Sequence, residues 1–92
     1  MDVTWKLFAT LGEAAGDTDV TVGVPRNATV ADALEALFEA YPAVAEEAHD
    51  DGSTYEHVRT LHEGDDIERP LESDRPVDDG DELAMFPPVS GG

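Results

Sequence analysis

Residues 29–41 read TVADALEALFEAY, and this stretch decides the fold. Thr29 stands before Val30-Ala31-Asp32, which places a hydroxyl cap and, three residues on, a carboxylate at the positive end of a helix. Val30, Ala33, Leu34, Leu37, Phe38 and Tyr41 then recur at helical spacing, with Asp32, Glu35 and Glu39 on the other side. The spacing predicts one amphipathic helix whose apolar stripe needs a second layer to cover it. Pro42 ends the helix and opens a short further helix over residues 43–48.

Outward from that helix the periodicity changes to two. Residues 3–9 (VTWKLFA) predict a first strand with Val3, Trp5, Leu7 and Ala9 facing a core, and with Phe8 on the opposite face beside Thr4 and Lys6. Residues 11–15 form a helical turn closed by Gly16, and residues 20–24 (VTVGV) a second strand, so the two strands make a hairpin. Beyond the helix, residues 50–53 (DDGS) are a loop. Residues 55–62 read as a third strand of imperfect alternation that turns at Glu63-Gly64-Asp65-Asp66. From residue 63 to 82, ten of twenty residues are acidic and only Ile67, Leu71 and Val77 anchor the segment, which predicts mostly irregular structure. Asp78-Asp79-Gly80-Asp81 is a turn into a last strand, residues 82–86 (ELAMF), with Leu83 and Met85 inward and Phe86 outward beside Ala84. This order predicts an α+β domain over residues 1–86, one sheet crossed by one principal helix, followed by an extended tail over residues 87–92. If the first and last strands are central neighbours, Phe8 and Phe86 form one exposed aromatic patch beside the tail.

The tail, Pro87-Pro88-Val89-Ser90-Gly91-Gly92, is where the chemistry is expected. An α-carboxyl has a pKa of about 3.5, so at neutral pH it is an anion and a poor electrophile. Transfer of AMP from ATP activates such a carboxylate, and a sulfur or amine nucleophile can then displace the AMP. Glycine lacks Cβ and fits a narrow channel, while two prolines with fixed φ make a stiff stalk.

Composition narrows the alternatives. Ninety-two residues without a cysteine exclude disulfides, zinc-thiolate sites and a catalytic thiol. Against 22 acidic residues stand only 5 basic ones, of which Lys6 is the sole lysine, for a net charge of −17. That field repels nucleic acid and anionic membranes and opposes self-association, so a monomer is expected. The acids are spread along the chain, which reads as adaptation to a salt-rich cytoplasm. No apolar run is long enough to span a bilayer, and Met1-Asp2-Val3-Thr4 lacks the basic start of a signal peptide, so a cytoplasmic location is expected. His49, His57 and His62 are too irregularly spaced for a metal site. The acidic turns fail as calcium loops, because Val77 or His49 falls where a ligand oxygen belongs. Ser53 and Ser90 have no positioned base, so no catalytic constellation is visible and the chain does not read as an enzyme.

The run DGDELAMFPPVSGG over residues 79–92 closely resembles the C-terminus of the MoaD-like, ubiquitin-like β-grasp proteins. Trp5-Lys6-Leu7-Phe8-Ala9 and the helix over residues 29–41 match in order and spacing, and the acidity is most similar to that of the haloarchaeal small archaeal modifier proteins. The resemblance implies a β-grasp fold and a chain with no cofactor of its own, acted on by an E1-like enzyme that uses ATP and magnesium to adenylate Gly92. It implies two fates. Sulfur replaces AMP to give a Gly92 thiocarboxylate for molybdopterin synthesis, with the large subunit of molybdopterin synthase as partner, or a target lysine attacks to give an isopeptide bond. The tail residues Pro87, Pro88, Val89, Ser90 and Gly91 would be recognised with Gly92. Phe8 and Phe86 match aromatic positions that contact the activating enzyme or the synthase partner. Residues 63–77 depart from the pattern in length and acidity, and the sole lysine limits chain building to Lys6 besides the N-terminal amine. A dual role is the first reading, a dedicated sulfur carrier the second, and a noncovalent binding module whose tail is never activated the third.

Overall fold

Strand β1 (Asp2–Leu7) and strand β2 (Asp19–Gly23) pair antiparallel, with Val3 opposite Val22 and Trp5 opposite Val20, and so form the expected hairpin. The computed structural model describes residues 1–48 and 59–86. Between the two strands lies helix α1 (Thr10–Ala15), ended by Gly16 in the left-handed conformation at φ 86°. Helix α2 (Val30–Ala40) starts at the predicted cap: the Thr29 side chain accepts the Asp32 backbone N–H, and the Asp32 carboxylate accepts the Thr29 backbone N–H at 2.9 Å. Tyr41 caps its other end, and helix α3 (Pro42–Ala48) follows.

The remaining strands are β3 (Arg59–His62), β4 (Asp65–Ile67) and β5 (Glu82–Phe86). Among the described residues they complete a mixed sheet in the order β2-β1-β5-β3-β4, in which β1 and β5 run parallel at the centre. Val3, Trp5 and Leu7 of β1, Val20 and Val22 of β2, and Leu83 and Met85 of β5 face Val30, Ala33, Leu34 and Leu37 of α2, and all are buried. Each large side chain so buried contributes about 1.5–3 kcal/mol. Trp5 adds orientation, since its Nε1–H donates to the Ala33 carbonyl at 3.2 Å and ties strand to helix.

Two expectations need correction. Ala9 does not continue β1 with an inward side chain: it is exposed at φ 52°, because the chain turns off the sheet immediately after Phe8. Residues 63–82 are more ordered than their acidity suggests. Glu63 and Gly64, at φ 50° and 87°, form a two-residue turn that pairs β4 with β3, so the sheet has a fifth strand. The segment then makes a 3₁₀ turn (Pro70–Glu72) and crosses the start of α2, where Val30 N–H donates to the Arg75 carbonyl at 2.8 Å and Val77 N–H to the Ala28 carbonyl at 3.0 Å. Backbone pairing and the buried Val77 hold it, while its carboxylates other than that of Asp81 stay in water.

The imperfect alternation of residues 55–62 leaves the register of β3 open. In the structure Thr60 and His62 are its inward residues, whereas Leu61 faces out. The loop expected at residues 50–53, the beginning of the third strand at 55–58, His49, His57, and the tail at 87–92 lie outside the described residues.

Candidate functional site

Parallel pairing sets Lys6 beside Ala84 and Leu7 beside Met85, so the next outward residues of the two strands, Phe8 and Phe86, fall together. Their rings stack with centroids 4.3 Å apart and planes inclined by only 5°. Phe8 is 42% exposed and Phe86 half-buried. An aromatic pair of this kind contributes about 0.5–1.5 kcal/mol beyond its buried area, but it still leaves apolar surface in water. The Phe8 N–H donates to the Met85 carbonyl at 3.2 Å, which extends the ladder one residue past β1.

The outer face of the sheet continues this surface. Ala84 lies between Lys6 and Leu61 in the strand register, and both Ala84 and Leu61 are half-buried. Leu61 escapes sequence reasoning because its neighbours Thr60 and His62 are polar, so alternation by itself would turn the leucine inward. Arg59, opposite Phe86, pairs with Asp66 at 3.5 Å. On the other side, Lys6 Nζ lies 3.4 Å from Asp19 Oδ1 and 3.4 Å from Glu82 Oε1. The hydrogen bond to Asp19, then that carboxylate's charge, then Glu82, hold the Lys6 ammonium above its ordinary pKa. An apolar centre flanked by paired charges is the usual anatomy of a protein-docking surface.

Beside Phe8 a shallow depression of about 320 Å³ is lined by Lys6, Leu7, Ala9, Thr18 and Asp19. Ala9 forms its turn at φ 52° and ψ −127°, a conformation that costs a residue with a side chain about 1–3 kcal/mol. Gly12 packs so close to the end of β1 that a Cβ there would lie 2.8 Å from the Leu7 carbonyl oxygen.

Of the residues singled out from sequence, Phe8, Phe86 and Lys6 therefore share one face at one end of the central strands. Pro87, Pro88, Val89, Ser90, Gly91 and Gly92 lie outside the described residues, and Phe86 is the last described residue before them. Among the described residues no group of three or more His, Asp or Glu side chains is arranged to hold a metal ion, and no helix is long and apolar enough to cross a membrane.

A model of the ThiS family matches residues 5–92. The chain belongs to the ThiS family. Among its ThiS-family relatives, small archaeal modifier protein 1 of Haloferax volcanii is 47% identical over 89 residues, which span 96% of this chain and 98% of that protein. The crystal structure of SAMP1 from Haloferax volcanii superposes with a TM-score of 0.82 at 45% identity, covering all of both chains. A candidate molybdopterin converting factor subunit 1 from Pyrococcus furiosus is 26% identical, with a TM-score of 0.74 over 97% of this chain and 99% of that one. The ThiS-family architecture seen here, a mixed sheet crossed by one main helix, is the ubiquitin-like β-grasp.

Proposed function

We propose that this ThiS-family chain is a ubiquitin-like protein modifier and sulfur carrier that acts through the carboxylate of Gly92. The observation that carries the reading is the placement of Phe86. It is stacked on Phe8 at the end of an interior strand, in register with Arg59 of β3, so the residue that precedes the tail is also part of the apolar surface. A partner docked on that surface is in reach of residues 87–92, which at about 3.3–3.6 Å per residue span at most about 20 Å. The kinship with a protein named as a modifier and with a candidate molybdopterin converting factor subunit supports the two fates.

In this reading residues 1–86 are the docking domain and residues 87–92 the substrate segment. An E1-like enzyme supplies ATP and magnesium. A Gly92 carboxylate oxygen attacks the α-phosphorus, pyrophosphate leaves, and an acyl adenylate remains. Attack by a hydrosulfide equivalent expels AMP, releases a proton and leaves a thiocarboxylate; attack by a lysine amine expels AMP, releases a proton and leaves an isopeptide bond. The thiocarboxylate serves molybdopterin synthesis with the synthase large subunit, and the isopeptide joins the chain to target lysines. The chain is a carrier acted on by enzymes, and a cytoplasmic location suits its need for ATP. Lys6 would be its own side-chain acceptor, a role its pairing with Asp19 and Glu82 works against, because only a neutral amine attacks.

Intact mass spectrometry of the protein from its native cells, with a denaturing blot for higher-mass species, tests the proposal. A mass gain equal to sulfur replacing oxygen is expected, together with conjugates that vanish when Gly91 and Gly92 are deleted. If neither form is found across growth conditions, the tail is not activated and the noncovalent module replaces this reading.

A further inference from the structure

Ala9 follows Phe8 directly and occupies a backbone conformation that glycine would normally fill. The Leu11 N–H donates to the Phe8 carbonyl at 3.1 Å and closes a tight turn with Ala9 at its first central position. The angles φ 52° and ψ −127° are those of a type II′ turn at that position. Several interactions over-determine this geometry. Gly12 N–H donates to the Ala9 carbonyl at 3.1 Å, and Leu7 N–H donates to the Thr18 carbonyl at 2.7 Å. The start of α1 also lies tight against the end of β1, since a Cβ at Gly12 would fall 2.8 Å from the Leu7 carbonyl oxygen.

We infer that Ala9 is a positioning residue, whose positive-φ turn aims the Phe8 ring onto Phe86 and so pre-forms the surface on which the partner docks. The inference rests on the reading of Phe8 and Phe86 as partner-binding residues. Were Ala9 extended, the chain would run on along β5 past Phe86 instead of turning back into α1. With the turn, the Phe8 N–H stays on Met85 and its carbonyl is taken by Leu11, so both backbone polar groups beside the ring are held. Only side-chain torsions remain to be ordered, which lowers the entropy lost on docking. Strain kept next to an exposed aromatic pair, and not relieved by glycine, is the pattern expected where backbone geometry serves a site.

The native chain, Ala9→Gly and Ala9→Val test this. Glycine accepts positive φ freely, whereas β-branched valine does not. Nuclear Overhauser effects between the Phe8 and Phe86 rings report positioning without any partner, and KM and kcat for adenylation by the activating enzyme report docking. Ala9→Gly is expected to keep the ring-to-ring signal and the native KM. Ala9→Val is expected to abolish that signal and raise KM about tenfold at unchanged kcat, the loss of one aromatic anchor. A stacked ring pair in folded Ala9→Val, or a separated pair in Ala9→Gly, overturns the inference; if Ala9→Val does not fold, Ala9→Gly decides alone. Rings that separate while KM stays unchanged overturn the docking role of Phe8 and the inference with it. Absence of adenylation in the native chain instead overturns the proposed function, and the ring-to-ring signal still decides Ala9.

Discussion

Arg75 donates its Nε–H to Nδ1 of His62 across 2.9 Å, on a residue that is only 5% exposed. A guanidinium has donors only, so Nδ1 is the acceptor, and the ring hydrogen sits on Nε2, which lies 2.7 Å from Asp81 Oδ2. Arg75 also reaches Asp65 at 2.5 Å, and Asp81 Oδ2 accepts the Asp78 N–H at 2.8 Å. The network ties β3, β4 and the approach to β5 together, and explains how a histidine can face the core.

Asp81 gives this network a pH dependence. Burial alone would raise its pKa, but the Asp78 N–H, His62 and Arg75 outweigh it and hold the carboxyl below its ordinary value of 3.8. A group depressed in the folded state stabilises above its unfolded pKa and stops doing so as pH falls through the folded one. Asp81→Asn should therefore cost about 1–3 kcal/mol in urea unfolding at pH 7, and the gap from the native chain should shrink below about pH 4. A gap that does not change with pH would contradict the assignment.

Thr60 makes the opposite prediction. Its Oγ1 is buried and, among the described residues, has no hydrogen-bond partner; it lies between Met85 and Ile67 in the strand register. Replacing the hydroxyl by a methyl removes an uncompensated polar group at nearly constant shape. Thr60→Val should raise the unfolding free energy by about 1 kcal/mol or more, seen as a higher urea midpoint with an unchanged slope.

Gly12→Ala sets two effects against each other. Alanine gains about 1 kcal/mol of helix propensity, but its Cβ would sit 2.8 Å from a backbone oxygen that cannot swing aside. Overpacking of this kind costs about 1–3 kcal/mol, so a net loss is expected. A higher melting temperature would show that α1 shifts freely.

Phe8→Ala separates folding from docking. Phe8 is 42% exposed, so its removal should lower stability by only about 1–3 kcal/mol, the stacking contribution plus that of the buried part of the ring, while abolishing or sharply weakening adenylation of the tail. Circular dichroism and adenylation kinetics on the same sample measure both.

The net charge of −17 predicts a chain stabilised by salt. The Debye length is about 30 Å at 0.01 M and about 3 Å at 1 M, so molar KCl removes most of the repulsion. The melting temperature should rise between these conditions, and equal values would refute the account.

Local patterns carried most of the fold. The helix cap at Thr29, the inward set Val3, Trp5 and Leu7, the inward pair Leu83 and Met85, and the outward parity of Phe8 and Phe86 all follow from spacing between near neighbours, because side chains on a helix or strand face where the backbone period sends them. The tail Pro87-Pro88-Val89-Ser90-Gly91-Gly92 stands out in the sequence for the same reason, as the chemistry proposed for it is suggested by consecutive residues. What needed the tertiary structure was whatever joins distant residues. The parallel pairing of β1 with β5, residues almost eighty positions apart, is what stacks Phe8 on Phe86. The β4 pairing and the crossing of α2 by Arg75, Pro76 and Val77 were hidden by acidity, since carboxylates pointing into water say nothing about the backbone that carries them. His62 faces the core only because Arg75 and Asp81 arrive from elsewhere to satisfy it, and Ala9 holds positive φ only because Leu11, Gly12 and Met85 leave no other path. Near-neighbour periodicity is a property of the chain, whereas compensation of a buried polar group or a strained turn belongs to long-range packing, which exists only once the chain has folded.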